Sequence, residues 1–337
     1  MPKKPTIQDI AKHAGVSPTT VSRVLNNFDY ISEEKRHRVM AAMEELDYRP
    51  SFSARYMRTQ RSRLIGLLAD QVTTTPYAGE IIAGAQEVAW EHDHFLLQLE
   101  IGNNVNYATQ AIETLLEREV ESIIYAAYFH HAVTLPKNIT QVPVVLANCY
   151  VEDRSLPSVV PDEVLGGYQA TEVILKKGHR RIGFINLNAD VPVQAFEGRL
   201  KGYCEALADF DVDYDASLVC EGDGGSHKGY SLGQQLIKLS DPPTAIFCAT
   251  DRTAMGVYDA LKEQGLRIPD DIAIVGFDNQ ANVASELHPS LSTMQLPHYE
   301  MGRWAVEYLL NDHTDNSLQK RPVQHQLPCP YIARASV

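Results

Sequence analysis

The sequence predicts an α/β protein with a small all-helical head carrying a helix-turn-helix, a short connector, and a two-lobed α/β body built on parallel sheets. Three observations lead there. First, charge is split: residues 1–63 hold 12 Lys+Arg against 7 Asp+Glu, a net of +5, while the remainder holds 18 against 36, a net of −18. Second, from Leu64 onward continuous apolar runs alternate with amphipathic segments. A strand that is apolar at successive positions is buried on both faces, as in a parallel sheet covered by helices on each side. Third, 337 residues are more than one ordinary domain needs and leave room for two half-domains behind the head.

The head spans residues 1–49. The Thr6 hydroxyl is placed to cap a first helix, with Asp9 three residues later at its positive end. Ile7, Ile10 and Ala11 then share one face. Gly15 permits a tight turn, and Val16 fills the gap between helices. Ser17 caps a second helix, with Pro18 in its first turn, where a missing N–H costs nothing. Val21, Val24 and Leu25 face inward, leaving Pro18, Thr19, Thr20, Ser22, Arg23 and Asn26 outside. A short helix with a small polar face and one arginine fits a DNA major groove. Ser32-Glu33-Glu34 opens a third helix expected to carry Val39, Met40, Met43 and Leu46 inward. Residues 50–63 form a basic, polar connector.

In the body, residues 64–337, the reading is strand Leu64–Ala69, a helix near 78–91, strand Phe95–Leu99, a helix near 106–118, strands Ser122–Ala126 and Val142–Ala147, and a helix near 163–177. The rhythm returns with strand Arg181–Ile185, helix 196–208, strand Leu218–Cys220, helix 226–238, strand Ala245–Ala249, helix 252–264, strand Ile272–Phe277 and helix 298–310. Ligands of open α/β sheets sit beyond the carboxyl ends of strands, so the residues following each strand are the candidates for a site.

Composition excludes several classes. No run of eighteen apolar residues offers a membrane span, and the N-terminus lacks the apolar core of a secretory signal, so a cytoplasmic protein is expected. The five cysteines are scattered with no C-x-x-C pair, which argues against zinc and disulfides and for small buried hydrophobes. Gly222-Asp223-Gly224-Gly225 fails as a dinucleotide loop because His227 stands where the last glycine belongs, and there is no phosphate-binding loop or nucleophile elbow. His130-His131 reads as a surface or loop pair. No enzyme activity, metal or cofactor is implied. A basic head on an acidic body points to the head alone meeting a polyanion.

The stretch from Thr6 to Asn27, together with Tyr48-Arg49-Pro50 and Ser53-Ala54-Arg55, closely resembles the head of the LacI/GalR family of repressors. The resemblance implies that Pro18, Thr19 and Arg23 read base edges and that Thr20, Ser22 and Asn26 hold phosphates. Thr6, Ser17, Tyr30, Ala54 and Arg55 complete the implied DNA-contacting set. The connector resembles the family's hinge helix, with Met57 at the position of the apolar minor-groove wedge. The partners so implied are near-palindromic double-stranded operator DNA, a second copy of the chain, and a small-molecule effector. No membrane is implied, and the absence of a trailing leucine heptad makes a dimer the default.

For residues 64–337 the resemblance implies a periplasmic-binding-protein type of fold. Lobe 1 is expected at about 64–161 and 292–321, lobe 2 at about 162–291 and 322–337, with crossings near Val160–Asp162, Ser290–Leu296 and Arg321. Expected effector contacts are Tyr77, Asn148, Arg199, Thr250, Asp251 and Asp278. Tyr77 offers an aromatic face to a sugar ring, and Asn148 offers both donor and acceptor. Arg199, in Gly198-Arg199-Leu200-Lys201-Gly202-Tyr203, matches the family's clamping arginine. Asp278 is the strongest pocket carboxylate. Asp251 either caps the next helix or reaches the ligand, and Asp162 reads as a hinge or cap. Thr74-Thr75-Pro76-Tyr77, Val145–Cys149, Leu156–Asp162, Met294–His298 and Leu327–Pro330 resemble the sucrose-operon repressors, which implies sucrose, fructose or a related oligosaccharide. The alternatives are a non-sugar effector such as a purine corepressor, or a sugar-binding protein without a DNA role.

Overall fold

A computed structural model describes residues 5–25, 28, 30–48, 61–74, 78–102, 105–188, 193–311 and 322–337. The chain divides into two compact units, residues 1–62 and 63–337.

The first unit contains α1 (Ile7–Ala14), α2 (Pro18–Leu25) and α3 (Glu33–Glu45). Thr6 and Asp9 form a full capping box on α1. Gly15 ends that helix at φ 61, the left-handed conformation that costs a glycine nothing. Arg38 of α3 donates to the carbonyls of Ala14 and Gly15, which closes the turn from the other side. The Ser17 hydroxyl accepts from the Thr20 N–H at 3.1 Å, capping α2. Ile10, Ala11, Val21, Val24, Val39 and Ala42 form the core, with Val16, Met43 and Leu46 against it. Met40 departs from the expectation: it is 55% exposed, because α3 presents Val39 and Ala42 to the core instead.

The second unit has β1 (Leu64–Asp70), α4 (Gly79–Glu91), β2 (Phe95–Glu100), α5 (Val105–Glu117), β3 (Ser122–Ala132), β4 (Val144–Tyr150), β5 (Ser158–Pro161) and α6 (Glu163–Lys176). It continues with β6 (Ile182–Leu187), α7 (Val193–Asp209), β7 (Val219–Gly222), α8 (Ser226–Ile237), β8 (Ala245–Cys248), α9 (Asp251–Glu263), β9 (Ala273–Asp278) and the short α10 (Ala281–Ala284). It ends with β10 (Ser292–Gln295), α11 (His298–Asn311), β11 (Gln324–Leu327) and β12 (Tyr331–Ile332). Two six-stranded sheets result, ordered β11-β5-β4-β3-β1-β2 and β12-β10-β9-β8-β6-β7. Every described pairing is parallel except β10 with β12.

The strands are apolar on both faces for a visible reason. In β8, Ala245 and Phe247 enter one core cluster while Ile246 and Cys248 enter the other. In β1, Ile65, Leu67 and Ala69 face one cluster and Leu68 the opposite one. Period-two alternation thus feeds two cores per sheet, each worth about 25 cal/mol per Å² of apolar surface removed from water.

The sheets correct the expected lobe limits. β10 at 292–295 pairs with β9, so it belongs to lobe 2. β11 pairs with β5, Gln324 opposite Ser158 and Leu327 opposite Pro161, so residues 324–327 belong to lobe 1. The third crossing therefore falls at 328–330 rather than near Arg321. The register of β11 is set by backbone bonds from Ser158 N–H to Val323 and from Asp162 N–H to Leu327. Its residues (Gln-His-Gln-Leu) are half-polar edge positions, so no apolar run announces the strand.

Candidate functional site

Between the carboxyl ends of the two sheets lies a cavity of about 230 Å³. Lobe 1 contributes Tyr128, Phe129, His130 and Asn148, and lobe 2 contributes, among others, Glu163, Arg199, Asp223, Thr250, Asp278 and Gln280.

The lobe 1 wall is built by an interruption in sheet register. Ala126 pairs with Ala147, yet His131 pairs with Cys149, so residues 127–130 of β3 bulge opposite the single residue Asn148. Asn148 sits at φ 58, and its Nδ2 donates to the carbonyls of Ala127 and Tyr128 at 3.0 Å each. Its amide N–H₂ thus holds the bulge, which delivers Tyr128, Phe129 and His130 to the cleft. The surface or loop reading of the histidine pair is corrected for His130. It is a strand residue, 8% exposed, with Nδ1 at 3.7 Å from a Glu163 oxygen and no hydrogen-bond partner on that nitrogen.

The lobe 2 wall centres on Arg199. Gly167 of α6 and Gly202 of α7 let these helices touch: a Cβ on Gly202 would stand 2.1 Å from the Val164 carbonyl oxygen, and one on Gly167 2.5 Å from that of Arg199. That approach puts Arg199 beside Glu163, the first residue of α6. Arg199 Nε donates to Glu163 at 2.8 Å, Nη1 donates to the Ala249 carbonyl, and the guanidinium lies 3.7 Å from the centre of the Phe277 ring. Burial alone raises the Glu163 carboxyl, but the Arg199 charge and His130 outweigh it and hold it at about 2.

Asp278 closes β9 at φ 110 and lines the cavity. Burial pushes its carboxyl up to about 7, against the pull of Arg199 and a 2.8 Å bond from Gln280 Nε2. Thr250 also lines the cavity, and its hydroxyl caps α9 by accepting from the Thr253 N–H at 3.0 Å. Asp251 is the correction among the effector candidates. Its side chain is wholly buried, accepting from the Gln280 N–H and the Thr293 hydroxyl at 2.6 Å each, and it is not among the cavity's lining residues. Thr250, not Asp251, caps α9, while Asp251 ties α9 to β10 and the β9–α10 turn. Asp162 accepts from the Leu165 N–H at 2.9 Å as the cap of α6. Tyr77 lies outside the described residues.

Sequence reasoning missed His130, Glu163, Asp223 and Gln280. Glu163 follows β5 by two positions, so the strand-end rule that selected Asn148 and Asp278 could have found it. The Gly222–Gly225 turn, dismissed as a phosphate loop, also lines the cavity, through Asp223, Gly224 and Gly225.

In the head, Ser17, Pro18, Thr19 and Arg23 are exposed, and Thr20 and Ser22 are half-exposed along α2. Tyr30 is 66% exposed and its ring centre lies 5.5 Å from the Arg23 guanidinium. Thr6 is exposed with its hydroxyl engaged by Asp9. Asn26, Ala54, Arg55 and Met57, and with them most of the expected hinge helix, lie outside the described residues. The described residues include no helix long and apolar enough to cross a membrane, and no cluster of His, Cys, Asp and Glu able to hold a metal.

Comparison with known proteins agrees with both parts. Residues 62–335 match the model for periplasmic binding proteins and the sugar binding domain of the LacI family, and residues 6–51 that for bacterial regulatory proteins of the lacI family. The chain is 33% identical over 312 residues to the ribose operon repressor of Haemophilus influenzae, covering 90% of this chain and 91% of that one. Among solved structures it resembles the complex of the transcriptional regulator CelR with cellobiose, at 27% identity, a TM-score of 0.69, and coverage of 99% and 100%. It also resembles the lac repressor dimer bound to operator and the anti-inducer ONPF, at 25% identity, a TM-score of 0.80, and 99% of each chain. These relatives are regulators rather than enzymes. With a helix-turn-helix head, two parallel sheets facing a polar cleft, and family models matching along both units, this chain belongs to the LacI family as a DNA-binding transcriptional repressor with a sugar-binding type of domain.

Proposed function

We propose that this repressor controls carbohydrate-utilisation genes and that a small sugar (sucrose, fructose or a related oligosaccharide) seated between the lobes sets its affinity for DNA. One observation carries the reading. The cavity brings together a guanidinium (Arg199), carboxylates (Asp278, Asp223), a carboxamide (Gln280) and the aromatic residues Tyr128 and Phe129. Planar donors, acceptors and aromatic faces together suit a polyhydroxylated ring. Relatives named for ribose and solved with cellobiose lend support to the sugar class. The fructosyl assignment rests on the sucrose-operon-like segments, two of which, Val145–Cys149 and Met294–His298, contain the cavity residues Asn148 and Leu296.

The chain acts as a homodimer, two heads reading a near-palindromic operator, with Pro18, Thr19 and Arg23 at base edges and Thr20, Ser22 and Asn26 at phosphates. Thr6, Ser17, Tyr30, Ala54, Arg55 and a Met57 wedge complete the contact. Effector binding closes the lobes about Arg199, Asp278, Thr250 and Asn148, with Tyr77 stacked on the sugar, and shifts operator affinity through a coupling of about 1–3 kcal/mol.

Calorimetry with sucrose, fructose, guanine and hypoxanthine, followed by gel-shift titration on operator DNA, tests this. Heat from the sugars and a change in operator affinity are expected. Binding of a purine alone would instead establish the corepressor alternative.

A further inference from the structure

We propose that Arg334, in the segment after β12, is a positioning residue for the effector cleft: through Asn279 it holds the turn that presents Asp278 to the ligand. The proposal rests on Asp278 being an effector contact, as proposed above, and adds a residue outside the cavity that sets its geometry.

The turn needs an outside hold. Asp278 closes β9 at φ 110 and Asn279 follows at φ 55, so two consecutive residues with side chains stand on the left-handed side of backbone space. Asparagine tolerates that region, but aspartate at φ 110 lies beyond the small left-handed well. A backbone held in such a conformation costs about 1–3 kcal/mol and persists only where its surroundings over-determine it.

Arg334 supplies part of that determination from 55 positions away. Its Nη2 donates to the Asn279 carboxamide oxygen at 2.7 Å, and Asn279 Nδ2 donates to Gln295 at 3.3 Å. The carboxamide of the turn is thus held at both ends. Gln295 stands opposite Asp278 in the β9–β10 register, so this chain of bonds returns to the residue it supports. Arg334 is not among the residues lining the cleft cavity, whereas Asp278 and Gln280, on either side of Asn279, both line it. Its influence on a ligand therefore passes through the turn.

The arginine is itself anchored. Its Nη1 donates to the Leu291 carbonyl at 2.8 Å, and its backbone N–H donates to the Ser292 hydroxyl at 2.9 Å. Two residues on, the buried Ser336 hydroxyl accepts from the Ser292 N–H at 2.8 Å and donates to the Ile274 carbonyl at 2.6 Å. The guanidinium is a strut between the start of β10 and the turn after β9. A planar fork spans Leu291 and Asn279 in a fixed geometry that a lysine ammonium lacks. Burial and the Asp278 charge raise the nearby Asp251 carboxyl, and the Arg334 charge opposes that rise. Charge and shape are thus separable by Arg334→Lys, which keeps the first and loses the second.

Residue-resolved hydrogen exchange on the full chain tests the hold without any ligand. Two amides report on the turn: Gln280 N–H, bonded to Asp251 at 2.6 Å, and Leu296 N–H, bonded to the Asp278 carbonyl at 3.3 Å. Phe247, buried in β8, is the reference. Arg334→Ala should speed exchange at Gln280 and Leu296 at least about tenfold and leave Phe247 within about twofold. Asn279→Gly keeps a positive φ at no steric cost while removing the carboxamide, and should speed the same two amides. The double variant should exchange no faster there than the faster single one, because both changes cut one chain of bonds. Arg334→Lys should recover less than half of the lost protection. Calorimetry then gives the functional consequence: Arg334→Ala should weaken whichever of sucrose and fructose binds by at least about fivefold.

Unchanged exchange at Gln280 and Leu296 overturns the proposal, and so does an equal rise at Phe247, which marks a merely structural residue. Additive effects in the double variant overturn the route through Asn279, and full recovery in Arg334→Lys overturns the strut in favour of charge. Faster exchange with sugar affinity within twofold of wild type overturns the link to the effector. Absence of binding by both sugars to wild type overturns the sugar reading instead, and the exchange data still decide whether Arg334 holds the turn.

Discussion

Arg199 and Glu163 form an ion pair at 2.8 Å with both side chains about 4% exposed, and that pair divides the arginine's role in two. Its Nε and Nη1 belong to the protein, bonded to Glu163 and the Ala249 carbonyl, while its position in the cavity lining leaves Nη2 to a ligand. Removing one partner of a buried pair strands the other charge, at a cost of about 3–5 kcal/mol. Arg199→Ala is therefore expected to abolish the effector response and also to lower the unfolding temperature of the body. Operator binding by the folded fraction should survive. Gel shifts with and without sugar, beside a thermal melt, measure both effects; a normal sugar response in this variant would place the effector elsewhere.

Asn148 offers a sharper test of site architecture. Its amide group holds the 127–130 bulge and thereby positions Tyr128, Phe129 and His130. Asn148→Asp keeps the shape but loses both donors and brings a carboxylate against two carbonyls. Effector affinity should fall by at least about tenfold, with destabilisation of about 1–3 kcal/mol from the unsatisfied carbonyls. Chemical denaturation together with calorimetry reads the two losses. Sugar affinity within twofold of wild type would mean that the bulge does not shape the site.

The two cleft carboxyls respond oppositely to pH. Glu163 is held at about 2 by Arg199 and His130 against burial, so its stabilising contribution is complete above its ordinary value of 4.5 and is lost as pH falls toward 2. Asp278 is pushed up to about 7 by burial, so the folded state holds its proton where the unfolded chain has released it. Its effect is a loss of stability as pH rises from about 4 to 7, and burial raises Asp251 in the same direction. The stability of the body is expected to decline between about pH 4 and 7, and Asp278→Asn should flatten that decline. Denaturant midpoints across this range provide the check; an unchanged slope in the variant would remove Asp278 as its source.

Helix contact through glycine is a further point of failure. A methyl on Gly202 would stand 2.1 Å from the Val164 carbonyl oxygen, so Gly202→Ala forces α6 and α7 apart. About 1–3 kcal/mol of stability should be lost, as in an overpacked core, and the Glu163–Arg199 geometry should suffer with it. Reduced sugar affinity alongside a lowered melting temperature is the expected pair of results.

In the head, Arg23 is the exposed cation of α2, lying against Tyr30. Arg23→Ala should reduce discrimination between operator and mismatched DNA by about 1–3 kcal/mol, with a smaller effect on non-specific binding. Competition gel shifts at fixed salt measure the ratio.

The elements of this protein were largely legible in its sequence, because each is written in local rules. Thr6 and Asp9 specify a capping box, Gly15 a left-handed turn, and runs such as Ala245–Cys248 a strand buried on both faces. Asn148, Thr250 and Asp278 could be chosen as cleft residues because ligand sites of parallel sheets lie where strands end, and Arg199 because its segment resembles that of the family's clamping arginine. What the tertiary structure decided were relations between distant segments. His130 reaches the cleft only because β3 slips register opposite Asn148. Asp251 leaves it because β10 and the turn after β9 engage its carboxylate. β11 joins lobe 1 because its backbone pairs with β5, a bond pattern indifferent to its polar side chains. Local capping and periodicity act within a few residues and are printed in the chain, whereas register, burial of charge and strand partnership depend on atoms from 20 to 166 positions apart and exist only once the chain has folded.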